Sequence, residues 1–200
     1  MKQYPSEDED LKLVESLVFT PYGLTVLKIP RGLEKSADLQ VLKSGVLLAY
    51  CELKSPRDEW LDDKLDDALP GEIVGGFRND PTFNRIGRHA QKAADQFRAV
   101  NVTRSLPSIL VFVNHDDASG FGDLMETFNG LFHSSDGSRH VTMPQVASRL
   151  KHAKEHIDLC VWIDGKSGTA QGYFFNLDAK PNYVNQLCAL LGKNPANIKR

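Results

Sequence analysis

Apolar and polar residues alternate along two neighbouring stretches, Ala37-Asp38-Leu39-Gln40-Val41-Leu42 and Val46-Leu47-Leu48-Ala49-Tyr50-Cys51-Glu52-Leu53-Lys54-Ser55, and the alternation predicts a β-hairpin. The link Lys43-Ser44-Gly45 suits a three-residue loop, which pairs Leu42 with Val46, so that facing residue numbers sum to 88. In that register Ala37, Leu39 and Val41 share an apolar face with Leu47, Ala49, Cys51 and Leu53. A one-residue slip is penalised because it would turn Asp38 into the core. The opposite face carries Val46, Leu48 and Tyr50, and at one end a polar cluster of Asp38, Glu52 and Lys54. Asp38 then faces Tyr50, Glu52 faces Ser36, and the two acids are diagonal neighbours about 7–8 Å apart at Cα. Two carboxylates at that spacing can share a divalent metal, with an ammonium beside them.

The rest of the pattern predicts alternating helices and strands. Ser6 and Glu9 form a capping box, and Leu11, Val14, Leu17 and Val18 recur at helical spacing, which predicts a helix over about 7–18. Pro21-Tyr22-Gly23 breaks it, 24–29 alternates as a strand, and Pro30-Arg31-Gly32 turns the chain into the hairpin, about 34–55. Residues 58–67 hold six acids over a Leu61, Leu65, Leu69 stripe, read as a short helix with a solvated acidic face. Asp80-Pro81 suits the start of a helix over about 81–101, with Ile86, Ala90, Ala93, Phe97 and Val100 as its apolar stripe. The continuous apolar run 108–113 suits a strand covered on both faces. Beyond it the pattern predicts a helix within 120–132, a polar loop over 134–140, a helix over 144–156, a strand pair at 159–163 and 172–175, and a last helix near 182–192.

An Asp on one strand followed by Glu-x-Lys on the next resembles the PD-(D/E)XK nuclease superfamily, the restriction-endonuclease-like fold. The residues carrying the resemblance are Asp38 and Cys51-Glu52-Leu53-Lys54-Ser55-Pro56. One departure is Ala37, where the family often has Pro. The resemblance implies an α/β fold with an αβββαβ core, a mixed central sheet flanked by helices, over about 7–115. Residues 116–200 would be a C-terminal α/β extension of the same single domain. It implies Mg²⁺, or Mn²⁺, held by Asp38, Glu52 and the Leu53 carbonyl, with Lys54 positioning the attacking water. Some branches place a Gln on the following helix, which points to Gln96, with Gln91 the other choice. Others use an acid on the first helix, here Glu15. Arg85, Arg88 and Lys92 share a helix face that can meet phosphates or simply keep the helix soluble. The implied function is a metal-dependent nuclease acting on DNA, with a homodimer possible. The alternatives are RNA as substrate, or a non-catalytic scaffold that uses the acidic 58–67 segment to bind protein.

Composition adds bounds. At 200 residues and 41% hydrophobic content, one domain can bury a sizeable core. The net charge of −2 gives no global basic signature, but residues 1–72 sum to −6 and residues 73–200 to +4. Cys51, Cys160 and Cys188 show no metal-ligand spacing, and no apolar signal region or run of ~20 apolar residues stands out, so a reducing cytoplasmic setting is expected. Gly165-Lys166-Ser167 lacks the Walker glycine, since position 160 is Cys, and reads as a hairpin turn. His152 and His156 are four apart on a helix, a possible metal pair, with surface histidines as the default reading. His115-Asp116-Asp117 follows a strand, either at the rim of a site or as an ordinary turn.

Overall fold

Ser6 opens the first helix, α1 (Glu7–Val14), with the reciprocal cap its spacing predicts. Its Oγ accepts from the Glu9 N–H at 3.3 Å, and Glu9 Oε2 accepts from the Ser6 N–H at 2.7 Å. The helix continues as a π turn over Glu15–Phe19 and a 3₁₀ turn over Thr20–Tyr22, and Gly23 ends it at φ +68°. The computed structural model describes residues 4–30, 36–57, 59–75, 82–133, 139–141, 149–178 and 180–198.

Strands β1 (Thr25–Lys28), β2 (Leu39–Lys43) and β3 (Val46–Lys54) follow, then helices α2 (Glu59–Asp66) and α3 (Thr82–Val100) and strand β4 (Ser108–Asn114). Next come α4 (Phe121–Asn129), a small pair β5 (Leu131–His133) and β6 (Arg139–Val141), α5 (Lys151–His156), β7 (Leu159–Asp164), β8 (Thr169–Phe175) and α6 (Pro181–Leu190). Six strands form one open mixed sheet in the order β1-β2-β3-β4-β7-β8. β3, β4 and β7 run parallel, and the outer pairings are antiparallel. No helix among the described residues is long and apolar enough to cross a membrane.

Helices cover both sheet faces. On one, Val14 and Val18 of the first helical segment and Leu187 of α6 pack over Val41, Cys51 and Val111. On the other, Ile86, Ala90 and Phe97 of α3 and Phe128 of α4 pack over Leu110, Phe112 and Trp162. β4 sends odd residues to the first cluster and even residues to the second, so all seven of its residues are buried. Its unbroken apolar run has that cause.

The hairpin differs from the expected register. Its turn is the two-residue Ser44-Gly45, with φ of +50° and +79°, so Lys43 pairs with Val46. Positive φ at both central residues is the mark of a type I′ turn, which matches strand twist. The pairing then shifts, because Leu42 faces Leu47 whereas Val41 faces Ala49, leaving Leu48 as the extra residue of a bulge. Beyond it facing numbers sum to 90, as for Leu39 and Cys51. Continued one step, that register sets Asp38 level with Glu52 instead of Tyr50. Ala37, expected beside Leu39, joins the α3 cluster instead, because the chain has turned over at Asp38. Leu131, expected in a helix, begins β5 because Gly130 ends α4 at φ +66°. The Asp80-Pro81 cap, the Arg31-Gly32 turn, most of the 134–140 loop and the Met143-Pro144 helix start lie outside the described residues.

The ends of the parallel strands are tied to α1. Buried Asp10 receives the Ser55 Oγ–H at 2.5 Å and meets His115 Nε2 at 3.0 Å. The Gly165 N–H donates to Asn114 O at 2.8 Å, and a Cβ at Gly165 would overlap the His115 ring. Gly165→Ala should therefore lower stability by about 1–3 kcal/mol in urea denaturation. Gly122→Ala, whose Cβ would meet nothing within 4 Å, should be neutral or slightly stabilising.

Candidate active site

The main-chain pairing of β2 with β3 stops at Leu39 and Cys51, and two carboxylates carry the connection onward. Glu52 Oε2 accepts the Asp38 N–H at 2.9 Å, and Asp38 Oδ2 accepts the Leu53 N–H at 3.1 Å. Each acid thus caps the other strand's backbone. Glu52 is fully buried, and the Lys54 ammonium sits directly on its Oε1. Lys54 Nζ also donates to Gln96 Oε1 at 3.0 Å, and Gln96 Nε2 donates to Ser36 O at 3.0 Å. Gln96 comes from α3, so one helix and the ends of two strands converge on the ammonium. Asp38, Glu52, Lys54 and Gln96 are brought together. Gln91, the other glutamine considered, is held elsewhere on Arg149 O at 3.1 Å.

The electrostatics follow from burial. Loss of water pushes the Glu52 carboxyl from its ordinary 4.5 up to about 7; Lys54 opposes the rise and the Asp38 carboxylate adds to it. Leu53 presents its N–H to Asp38, and an extended residue sends its carbonyl out on the same strand edge. The cluster therefore offers oxygen donors from Asp38, Glu52 and Leu53. Beside it lies a cavity of about 510 Å³, bounded by Ser6, Glu7 and Asp8 of the first turn, by Lys28-Ile29-Pro30, and by Asp38 and Leu53. Glu7 is an acid of α1 that reaches this cavity. Glu15 stands about 12 Å farther along the same helical segment, and among the described residues no hydrogen bond or ion pair joins it to Asp38 or Glu52.

The basic stripe divides. Arg85 is engaged with buried Asp116 at 2.7 Å, whereas Arg88 and Lys92 are exposed. Between them lies His89, a residue the sequence reading missed, with its ring 6.3 Å from Phe112 and edge-on to it. Burial, then Lys54, Lys92, Arg88 and Arg85 in that order, holds His89 down to about 4. It is neutral at physiological pH and reports that four cations share one field. The signal was present as spacing: Arg85, His89, Lys92 and Gln96 recur at helical intervals along α3.

The remaining candidates fall away from this centre. Gly165-Lys166-Ser167 forms the β7–β8 turn, where Asp164 Oδ1 accepts the Lys166 and Ser167 N–H groups at 2.9 and 3.2 Å. His115 and Asp116 are buried in structural contacts. His152, Glu155 and His156 form a cluster capable of coordinating a metal ion, with one ligand atom from each within 4.8 Å of the others.

Comparison with protein-family models, curated proteins and solved structures returns no match. The functional reading therefore stands on residues and geometry.

Glu52 binds its proton more tightly folded than unfolded, so its contribution to stability is fully present below about 4.5 and is lost as pH rises through about 7. Between about pH 5 and 8 the wild type should lose about 2–3 kcal/mol relative to Glu52→Gln, measured by chemical denaturation at each pH. An unchanged difference between the two proteins would exclude a raised Glu52 titration.

Proposed function

We propose that this protein is a Mg²⁺- or Mn²⁺-dependent nuclease that hydrolyses phosphodiester bonds in DNA, built on a restriction-endonuclease-like core. The observation that carries the reading is the reciprocal lock of Asp38 and Glu52, with the Lys54 ammonium seated on the buried acid at the end of β3. The mixed sheet, with the β2–β3 hairpin inside it and a helix crossing over the site strands, supports it.

The oxygen donors of Asp38, Glu52 and the Leu53 carbonyl suit a hard divalent ion that keeps several waters. When bound, Mg²⁺ supplies neutralisation of phosphate charge and a lowered pKa for a coordinated water. The chain's own groups do the rest. Glu52 titrates near neutrality, so releasing its proton to solvent in favour of a divalent ion would cost little. With a divalent ion held by Asp38, Glu52 and the Leu53 carbonyl, Lys54 would be free to donate hydrogen bonds to the attacking oxygen and to the charge growing on the phosphorane. Gln96 keeps the ammonium in place during that exchange. Arg88 and Lys92, exposed on the same side of α3, receive flanking phosphates. The cytoplasm is the setting this reading expects.

The test is cleavage of plasmid and oligonucleotide DNA by the full chain with Mg²⁺ or Mn²⁺. Glu52→Gln and Lys54→Ala should each reduce the rate by about a hundredfold or more. The double variant Arg88→Ala/Lys92→Ala should weaken DNA binding and flatten its salt dependence. Equal cleavage by wild type and both site variants would overturn the assignment. Cleavage confined to RNA would move the substrate, and DNA binding without cleavage would favour the scaffold.

A further inference from the structure

α5 carries His152, Glu155 and His156 at positions i, i+3 and i+4, so two imidazoles and a carboxylate share one helix face. Their ring centroids lie 4.9 Å apart, inclined at 65°. α5 packs against α3, and Asp95 of α3 stands beside one member of the trio, with its Oδ1 3.4 Å from His152 Nε2. A second helix therefore supplies a fourth donor that the sequence spacing alone could not reveal. Arg98 competes weakly for Asp95 at 3.7 Å, and it is 62% exposed, so it can leave.

We propose that His152, Glu155, His156 and Asp95 form a second metal site, separate from the Asp38–Glu52 centre, for a first-row transition ion of the Zn²⁺ class. Imidazole nitrogens with carboxylate oxygens suit Zn²⁺, whereas Mg²⁺ prefers oxygen alone. Zn²⁺ sits about 2.0–2.2 Å from such ligands, so tetrahedral ligand atoms stand about 3.3–3.5 Å apart. The 3.4 Å between Asp95 and His152 already matches, and the 4.8 Å bound on the α5 trio closes by side-chain rotation. The ion would bolt α5 to α3 one residue before Gln96, the residue that holds Lys54. Occupancy would therefore stiffen the helix that borders the nuclease site without adding a ligand to it.

The experiment is calorimetric titration of the untagged full chain with Zn²⁺ in buffer holding excess Mg²⁺, alongside nuclear magnetic resonance of the histidine rings. We expect one Zn²⁺ per chain, shifts of the His152 and His156 ring resonances in the wild type, and a rise in Tm on Zn²⁺ addition. His152→Gln and His156→Gln should each weaken binding about tenfold or more and shrink the Tm rise, and Asp95→Asn should weaken it by a smaller factor. Glu52→Gln should bind Zn²⁺ as the wild type does, so this outcome is independent of the nuclease reading. Absence of binding, or ring shifts at neither histidine in the wild type, would overturn the site. So would loss of Zn²⁺ binding in Glu52→Gln, which would locate the ion at the other centre.

Discussion

A carboxylate with no exposure to water has to be answered by protein, and Glu52 is the residue that sets this constraint. Its answers are a backbone N–H from the neighbouring strand and an ammonium two residues along its own. The first fixes where β2 lies against β3; the second keeps Lys54 from extending into solvent. Asp38 returns the favour by accepting the Leu53 N–H. The sheet therefore closes its edge with side chains where main-chain pairing has stopped. A group held this way is costly for stability, since breaking either partner leaves a buried charge.

Much of the architecture was legible because local rules agreed with tertiary packing. Ser6 and Glu9 capped the helix that their spacing implied, and β4 was covered on both faces as its unbroken apolar run required. Alternation placed Leu39, Val41, Ala49 and Cys51 in one core cluster. What alternation could not convey was backbone conformation. Ser44 in a left-handed conformation shortens the turn to two residues, and the bulge at Leu48 then restores the core face. These two departures convert a diagonal relation between Asp38 and Glu52 into one where the two stand level. Ala37 crossed to the other core for a separate reason, since the chain turns over at Asp38 as it reaches the site.

The site itself was readable unevenly. The pairing of the two acids and the lysine followed from face and order, whereas Gln96 came from the family resemblance, which left Gln91 open beside it. Arg85 could not be judged from spacing, because its partner Asp116 lies 31 residues away, beyond β4. His89 escaped notice since a lone histidine has no pattern; only its crowding by four cations gives it meaning. Asp95 was likewise invisible as a companion of His152 until α3 and α5 were seen to pack.

The bond between Asp10 and His115 spans 105 positions of the chain. The first helix is only eight residues long, and its buried acid has its partner at the far end of β4, which lies between β3 and β7. Closing so long a loop carries an entropy that local contacts cannot offset in advance. The amino-terminal segment should thus be a late arrival in folding, docking onto a sheet already assembled. Such late docking would complete the wall of the cavity beside Asp38, which Ser6, Glu7 and Asp8 line.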